Sequence, residues 1–363
     1  TDFGVAGILL EDKKSKKDED NEKDKKPSYA SRFEYLAELV IMTSNHQTRI
    51  FFVAGEESGD LLASQLILQL KSMDPDLSFI GIGGEASFKA GAEILYQYHE
   101  VSVVGITEVI AHLPKIFRIM REVKNYIMQN NISFIIFIDF PDFNLRLAQS
   151  LSKKGKIIIY YVSPQIWAWR KSRIKTISQM VDKMLLLFPF EKKIYESAGV
   201  PHDVVGHPIV DRLHPYYHLE YQPNDNYKTI TFLPGSRLSE IHHHFDELLK
   251  FIKIFPKKPY QIKFQVIKAP QIQIDLLEKA IKTADVPVEI ITSNPYHAIV
   301  NSDLIMVASG TASLEVALLK KPMIIFYRVS SLTFMIAKYF AHIHHIGLPN
   351  IISYEPLVTE YIK

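Results

Sequence analysis

The chain has 363 residues, 47% of them hydrophobic, with 42 Lys and Arg against 40 Asp and Glu and a formal net charge of +2. That is enough chain for about two domains with buried cores, and the charge balance gives no overall attraction to nucleic acid. The absence of cysteine excludes disulfides, zinc–thiolate sites and thiol nucleophiles and fits a reducing compartment, and no uninterrupted apolar run approaches the roughly 18–20 residues that span a bilayer.

Residues 1–48 read as a charged, disordered extension. Residues 4–10 form a short apolar run followed by charge, which is not a signal peptide. Residues 11–27, EDKKSKKDEDNEKDKKP, mix both signs and cannot bury enough apolar surface to offset the entropy of ordering. Residues 29–42 could form a short amphipathic helix. The chain opens on Thr1, and Met42 is a candidate natural start. The first 41 residues are then a fusion remnant or an upstream tail without chemistry.

Residues 49–54 are the first clear strand, followed by Gly55-Glu56-Glu57-Ser58-Gly59-Asp60 and an apolar-periodic helix over 61–70, the opening of a nucleotide-type α/β domain. The turn is not G-x-G-x-x-G, and its two glutamates suit a hydroxyl-rich or cationic ligand better than a pyrophosphate. Residues 79–82 are a short strand; 101–110 are apolar and precede a long helix over about 112–129; 134–138 are a fully apolar strand. That strand ends in Asp139-Phe140-Pro141-Asp142-Phe143-Asn144. Ligands of open α/β sheets gather at such strand ends. Desolvation by Phe140 and Phe143 would raise the pKa of Asp139 into the range of a general base, while Asp142 is assigned the N-cap of the following helix.

Residues 157–162 form another strand, and the next stretch, 163–171, holds both tryptophans beside basic residues. Trp167, Trp169 and Arg170 suit a membrane interface or a phosphorylated amphiphile, or equally an ordinary basic helix with its tryptophans in the core. Residues 184–187 are a strand, and 204–208 close the first half. The Pro-, Tyr- and Asn-rich stretch 213–227 holds the domain boundary.

The pattern then restarts. A strand at 229–233 meets the turn Pro234-Gly235-Ser236-Arg237 and a helix over about 239–255. Backbone N–H groups after Gly235, from Ser236 on, together with Arg237, make a diphosphate site. His242, His243 and His244 are adjacent on that helix and cannot converge on one metal ion. Strands at 262–267, 288–291, 304–308 and 323–326 complete the second set. The strand 304–308 turns at Ser309-Gly310-Thr311 into a helix carrying Glu315. A helix N-terminus there offers donors to an anion, and Glu315, one turn in, either accepts hydrogen bonds from sugar hydroxyls or lies on a solvated face. There is no P-loop and no G-x-S-x-G elbow.

Several of these segments together, in order, resemble bacterial lipid-A-disaccharide synthases: residues 55–60, 138–144, 161–170, 188–191, 206–208, 233–237, 308–315 and Leu348-Pro349-Asn350. The resemblance covers about residues 49–363. It implies an inverting glycosyltransferase of the GT-B type, an α/β protein of two Rossmann-like domains facing a cleft. These would be an acceptor domain at 49–212, a linker at 213–228 and a donor domain at 229–363. Family members continue beyond the last motif, so the second domain is expected to be truncated. The resemblance implies UDP-2,3-diacylglucosamine as donor and 2,3-diacylglucosamine 1-phosphate as acceptor, with no metal or other cofactor. The enzyme would be cytoplasmic and peripheral on the inner-membrane surface, with a second copy of the chain as a candidate partner. It assigns Asp139 and Glu56 to catalysis and Gly235, Ser236, Arg237, Ser309, Gly310, Thr311, Glu315 and Asn350 to the UDP donor. Asn144, Trp167, Trp169 and Arg170 go to the acceptor and membrane side. Glu57 stands where the family carries a small residue. Residues 334–346 are a second aromatic stretch, either a membrane contact or a buried helix. A rival GT-B enzyme of UDP-N-acetylglucosamine, transferase or epimerase, would share the donor half without both 138–144 and 163–170. A non-catalytic UDP-sugar or membrane-surface binding protein is the alternative of a different class.

Overall fold

The computed structural model describes residues 48–102, 106–164, 166, 173–256, 261–328, 345–353 and 355–362. The expected N-terminal extension, Trp167, Trp169, Arg170 and most of 334–346 lie outside the described residues.

The described chain forms two compact units that part between Pro208 and Ile209. In the first, a seven-stranded sheet is built from β1 (Arg49–Ala54), β2 (Ser78–Gly83), β3 (Glu93–Gln97), β4 (Phe134–Ile138), β5 (Ile157–Tyr161), β6 (Lys183–Leu186) and β7 (His202–Val204), in the order β3-β2-β1-β4-β5-β6-β7. Every pairing is parallel. Parallel sheets are covered on both faces, which is why β1 and β4 are continuous apolar runs: all of Ile50–Ala54 and Phe134–Ile138 are buried. Helix α1 (Glu57–Met73) follows β1, α2 (Glu85–Lys89) follows β2, α3 (Ile106–Gln129) precedes β4, and α4 (Pro141–Ser152) follows it. Ile119, Val123 and Ile127 of α3 recur every four residues and are buried in the same core as Phe51, Ile135 and Phe137.

The second unit repeats the plan. Its six strands are β8 (Tyr227–Leu233), β9 (Gln261–Ile267), β10 (Val288–Ile291), β11 (Leu304–Ala308), β12 (Met323–Tyr327) and β13 (Thr359–Ile362), in the order β10-β9-β8-β11-β12-β13 and all parallel. Both sheets therefore have the doubly wound order in which the first strand lies between the second and the fourth. The order reverses at β1/β4 and at β8/β11, and loops leaving opposite faces there open a crevice beyond the strand ends. The turns 55–60 and 139–144 flank the first switch point, and 234–237 and 309–311 the second.

Three differences from the sequence reading have physical reasons. The helix before β4 begins at Ile106 instead of about residue 112, because a short apolar run has no periodicity to tell strand from helix. The edge strands β3, β7 and β13 were not anticipated. They are short, and β3 and β7 have no buried residue. Residues 209–212 belong with the second unit, where α5 (Ile209–Leu213) packs on α6 (Thr311–Leu318) and Arg212 pairs with Glu315.

Candidate active site

Asp139 stands one residue beyond β4. It and Phe140 both take left-handed backbone, with φ of 47° and 46°, a conformation that costs a non-glycine residue about 1 kcal/mol or more. The Asp139 N–H donates to the Tyr161 carbonyl at 2.9 Å. The Asp139 carbonyl accepts from Asn144 Nδ2 and from the Tyr160 hydroxyl, each at 2.7 Å. Pro141 starts α4 at a position where a missing N–H costs nothing. The Phe140 ring stacks on Phe143 with centroids 5.7 Å apart and lies against Gly55, where a Cβ would overlap the ring. The turn after β1 must therefore carry glycine for the turn after β4 to close. Burial, helped by the negative charge of Glu56 and opposed by the Phe140 N–H, pushes the Asp139 carboxyl up to about 6. Glu56 itself is exposed at the start of α1.

Asp142 is not the N-cap expected of it. Phe140 holds that position, and Asp142 sits in the first turn of α4, where a carboxylate favours the helix dipole, paired with Arg173 at 2.5 Å. Asn144, expected on the acceptor and membrane side, is 0% exposed. Its amide faces the backbone of Asp139 because the first turn of α4 folds under the strand end. Asp60, the last residue of the glycine-rich turn, had no assigned role. It is buried, and its carboxylate accepts from Gly84 N at 2.7 Å, Ala86 N at 3.0 Å and Ser87 N at 3.2 Å. It thereby caps α2 and ties the turns after β1 and β2 together. The glycine pair Gly83-Gly84 is the sequence signal: at Gly84 a Cβ would press on both Tyr98 and Asp60.

In the second unit, β8 runs into Pro234 and the helix α7 (Leu238–Ile254). Gly235 has φ +119°, and a Cβ there would overlap the Glu240 carboxylate. Glu240 Oε2 accepts from Ser236 N at 2.9 Å and Arg237 N at 3.2 Å. The chain's own anion thus takes the two backbone donors that the sequence reading offered to a diphosphate, a correction that follows from the capping position of Glu240 three residues past Arg237. The Arg237 side chain is 63% exposed, 3.8 Å from Glu240 Oε1. Behind the turn, His244 is buried, with Nδ1 2.8 Å from the Pro234 carbonyl and Nε2 accepting from Arg328 N at 3.0 Å. These partners give Nδ1 a carbonyl to donate to and Nε2 a backbone N–H to accept from.

After β11, Gly310 has φ +150° and open space where a Cβ would stand. Gly310 and Thr311 are exposed, and no side chain caps α6. The Ser309 hydroxyl, expected on the donor, instead donates to the Ile346 carbonyl at 2.8 Å. Glu315 pairs with Arg212 and accepts from the Tyr296 hydroxyl at 3.2 Å, both through Oε1. Burial raises its pKa, and Arg212 and Tyr296 oppose the rise. Tyr216 packs on Tyr296 at 4.8 Å. Asn350, expected to bind the donor, is 1% exposed. Its Nδ2 donates to the Val358 carbonyl at 2.8 Å and Glu360 Oε1 at 2.7 Å, and its Oδ1 accepts from Val358 N at 2.9 Å. It is a clasp between 348–353 and β13, and Glu360 extends the clasp to the N–H groups of Ile346 and Gly347.

Chemically, the first switch point offers a shielded carboxylate able to accept a proton near neutrality, and the second offers an exposed guanidinium, an uncapped helix start and a half-buried carboxylate. Among the described residues no group of three or more His, Asp or Glu is placed to hold a metal ion, and no helix is long and apolar enough to cross a membrane.

A family model described as lipid-A-disaccharide synthetase matches residues 50–363. The chain is 38% identical over 327 residues to the lipid-A-disaccharide synthase of Geobacter sulfurreducens, covering 89% of this chain and 85% of that one. It is 40% identical over 323 residues to lipid-A-disaccharide synthase 1 of Legionella pneumophila strain Lens, covering 87% and 84%. Among solved structures it resembles the S. aureus MnaA–UDP co-structure, with a TM-score of 0.52 at 10% identity over 85% of this chain and 86% of that one. That likeness speaks to the fold alone, two parallel-sheet α/β units of the GT-B type. By the family match and these identities, the chain belongs to the lipid-A-disaccharide synthetase family.

Proposed function

We propose that this chain carries out lipid A disaccharide synthesis. It would move 2,3-diacylglucosamine from its UDP donor to the 6-hydroxyl of 2,3-diacylglucosamine 1-phosphate, with inversion at the anomeric carbon. The observation that carries the reading is the family match along residues 50–363; the chemistry of Asp139 supports it. The acceptor oxygen attacks the anomeric carbon while Asp139 takes its proton. The new carbon–oxygen bond forms as the bond to the diphosphate breaks, and UDP leaves with the bonding pair. A single displacement of this kind gives the β-1′,6 link. A carboxyl titrating at about 6 is largely ionised at neutral pH yet basic enough to share a proton in the transition state, a contribution of about 10²–10⁴-fold. Glu56 keeps that proton affinity high through its charge.

On the donor side, the exposed Arg237 forks onto diphosphate oxygens, and the N–H groups at the start of α6, around Gly310 and Thr311, stabilise charge on departing UDP. Glu315 takes ribose hydroxyls through the oxygen that Arg212 leaves free of its contact. Because both substrates carry acyl chains, the protein works at the cytoplasmic surface of the inner membrane, alone or as a homodimer, with Trp167, Trp169 and Arg170 on the acceptor side.

The test is product identity. The purified chain, given both substrates in detergent, is expected to yield a tetraacyl disaccharide 1-phosphate by mass spectrometry, with a β anomeric coupling by NMR. An α link would rule out single displacement, and no disaccharide at all would sink the assignment.

A further inference from the structure

The Asp139 N–H is held by the sheet, through the Tyr161 carbonyl, but the Asp139 carbonyl is held by something else. In a parallel ladder, the carbonyl at the end of β4 would accept from the backbone of β5. β5 ends at Tyr161 and the chain turns at Val162, which has φ +73°, so the next donor in register, the Ser163 N–H, makes no hydrogen bond to the Asp139 carbonyl. For a β-branched residue that φ is an outlier. The Asp139 carbonyl is left to two side chains, the Tyr160 hydroxyl and Asn144 Nδ2, each at 2.7 Å. Together they use both of its lone pairs. Both side chains are 0% exposed.

We infer that Tyr160 and Asn144 are positioning residues for the reaction, holding the left-handed turn at Asp139 and Phe140 through the Asp139 carbonyl so that the carboxylate stays shielded and aimed. The inference rests on reading Asp139 as the base. Neither residue is free to touch substrate. Tyr160 packs in the core beside Phe137, with centroids 6.0 Å apart, so phenylalanine would fill its place. Burial, with the Asp139 charge second, pushes its hydroxyl well above the usual range, so it remains a donor across the working pH. Asn144 keeps a buried Oδ1 without a hydrogen-bond partner, an arrangement that an apolar side chain would avoid. The amide is retained for its N–H groups, and the opposite orientation would set Oδ1 against the Asp139 carbonyl.

Losing either donor lets the strained turn relax and water reach the carboxylate. Tyr160→Phe is expected to lower kcat about tenfold with KM for the donor within about twofold. The acid limb of its rate profile is expected to move by half a unit or more from about 6 towards the ordinary carboxylate range, because burial is the largest cause of the rise. UDP affinity, measured by calorimetry, stays at the wild-type value and reports an intact fold. Asn144→Leu gives the same signature by a second route and covers the case in which Tyr160→Phe does not fold. Wild-type kcat and acid limb in folded Tyr160→Phe, beside an inactive Asp139→Asn, would overturn the positioning role and leave the base standing. An active Asp139→Asn would overturn both.

Discussion

Asp139 has a folded pKa of about 6, above the ~3.9 of an unfolded aspartate, so the native state binds its proton more tightly than the unfolded chain does. The resulting destabilisation is absent below about pH 4, grows as pH rises through about 6, and is complete at neutral pH, where it amounts to up to ~3 kcal/mol. Asp139→Asn removes it, and asparagine is among the residues that tolerate a φ of 47°. The variant is therefore expected to melt higher than wild type at pH 7.5 and no higher at about pH 4, while turnover falls at least ~10²-fold; paired thermal scans and rate assays check both. Arg237→Ala removes the exposed guanidinium and is expected to weaken UDP binding about 10–100-fold by calorimetry, the worth of a charge-assisted hydrogen bond or two. Asp139 could be singled out in the sequence because it directly follows an apolar strand, and Arg237 because it closes the Pro-Gly turn after another. Asn144, Ser309 and Asn350 were legible as motif positions, but their side chains turned out to bind the protein's own backbone. A polar residue at a strand end has the same sequence signature whether it faces ligand or carbonyl.

The turns explain the strictest positions. Glu240 satisfies Ser236 N and Arg237 N, and Gly235 is required because it has φ +119° and no room for a Cβ. Gly235→Ala is expected to lose ~1–3 kcal/mol of stability and to weaken UDP binding with it, since the start of α7 must shift. Asp60 plays the matching part in the first unit. Its buried carboxylate holds three backbone N–H groups, so Asp60→Ala is expected to cost ~2–4 kcal/mol in denaturant unfolding. The glycines were visible as turn signals, but the partner making each one necessary, Phe140 for Gly55 and Glu240 for Gly235, is set by tertiary approach. The edge strands β3, β7 and β13 escaped notice for a related reason: runs of three to five residues are too short to show a strand period.

Across the whole molecule, alternating apolar strands and amphipathic helices made two doubly wound units readable before any coordinates, and the repeated strand order places the four motif turns at the two switch points. The unit boundary was less readable. Residues 209–212 look like the end of the first half, yet pack with the second because Arg212 pairs with Glu315. Under the proposed function the base lies on the first unit and the groups facing the leaving UDP on the second. One measurement tests it most directly: UDP release by the wild-type chain and by Asp139→Asn, each with both acylated glucosamine substrates, with either one omitted, and with UDP affinity measured in parallel. Release is expected to require both substrates and to fall at least ~10²-fold in the variant while UDP affinity is kept. Release without acceptor, or an undiminished rate in Asp139→Asn, would contradict it.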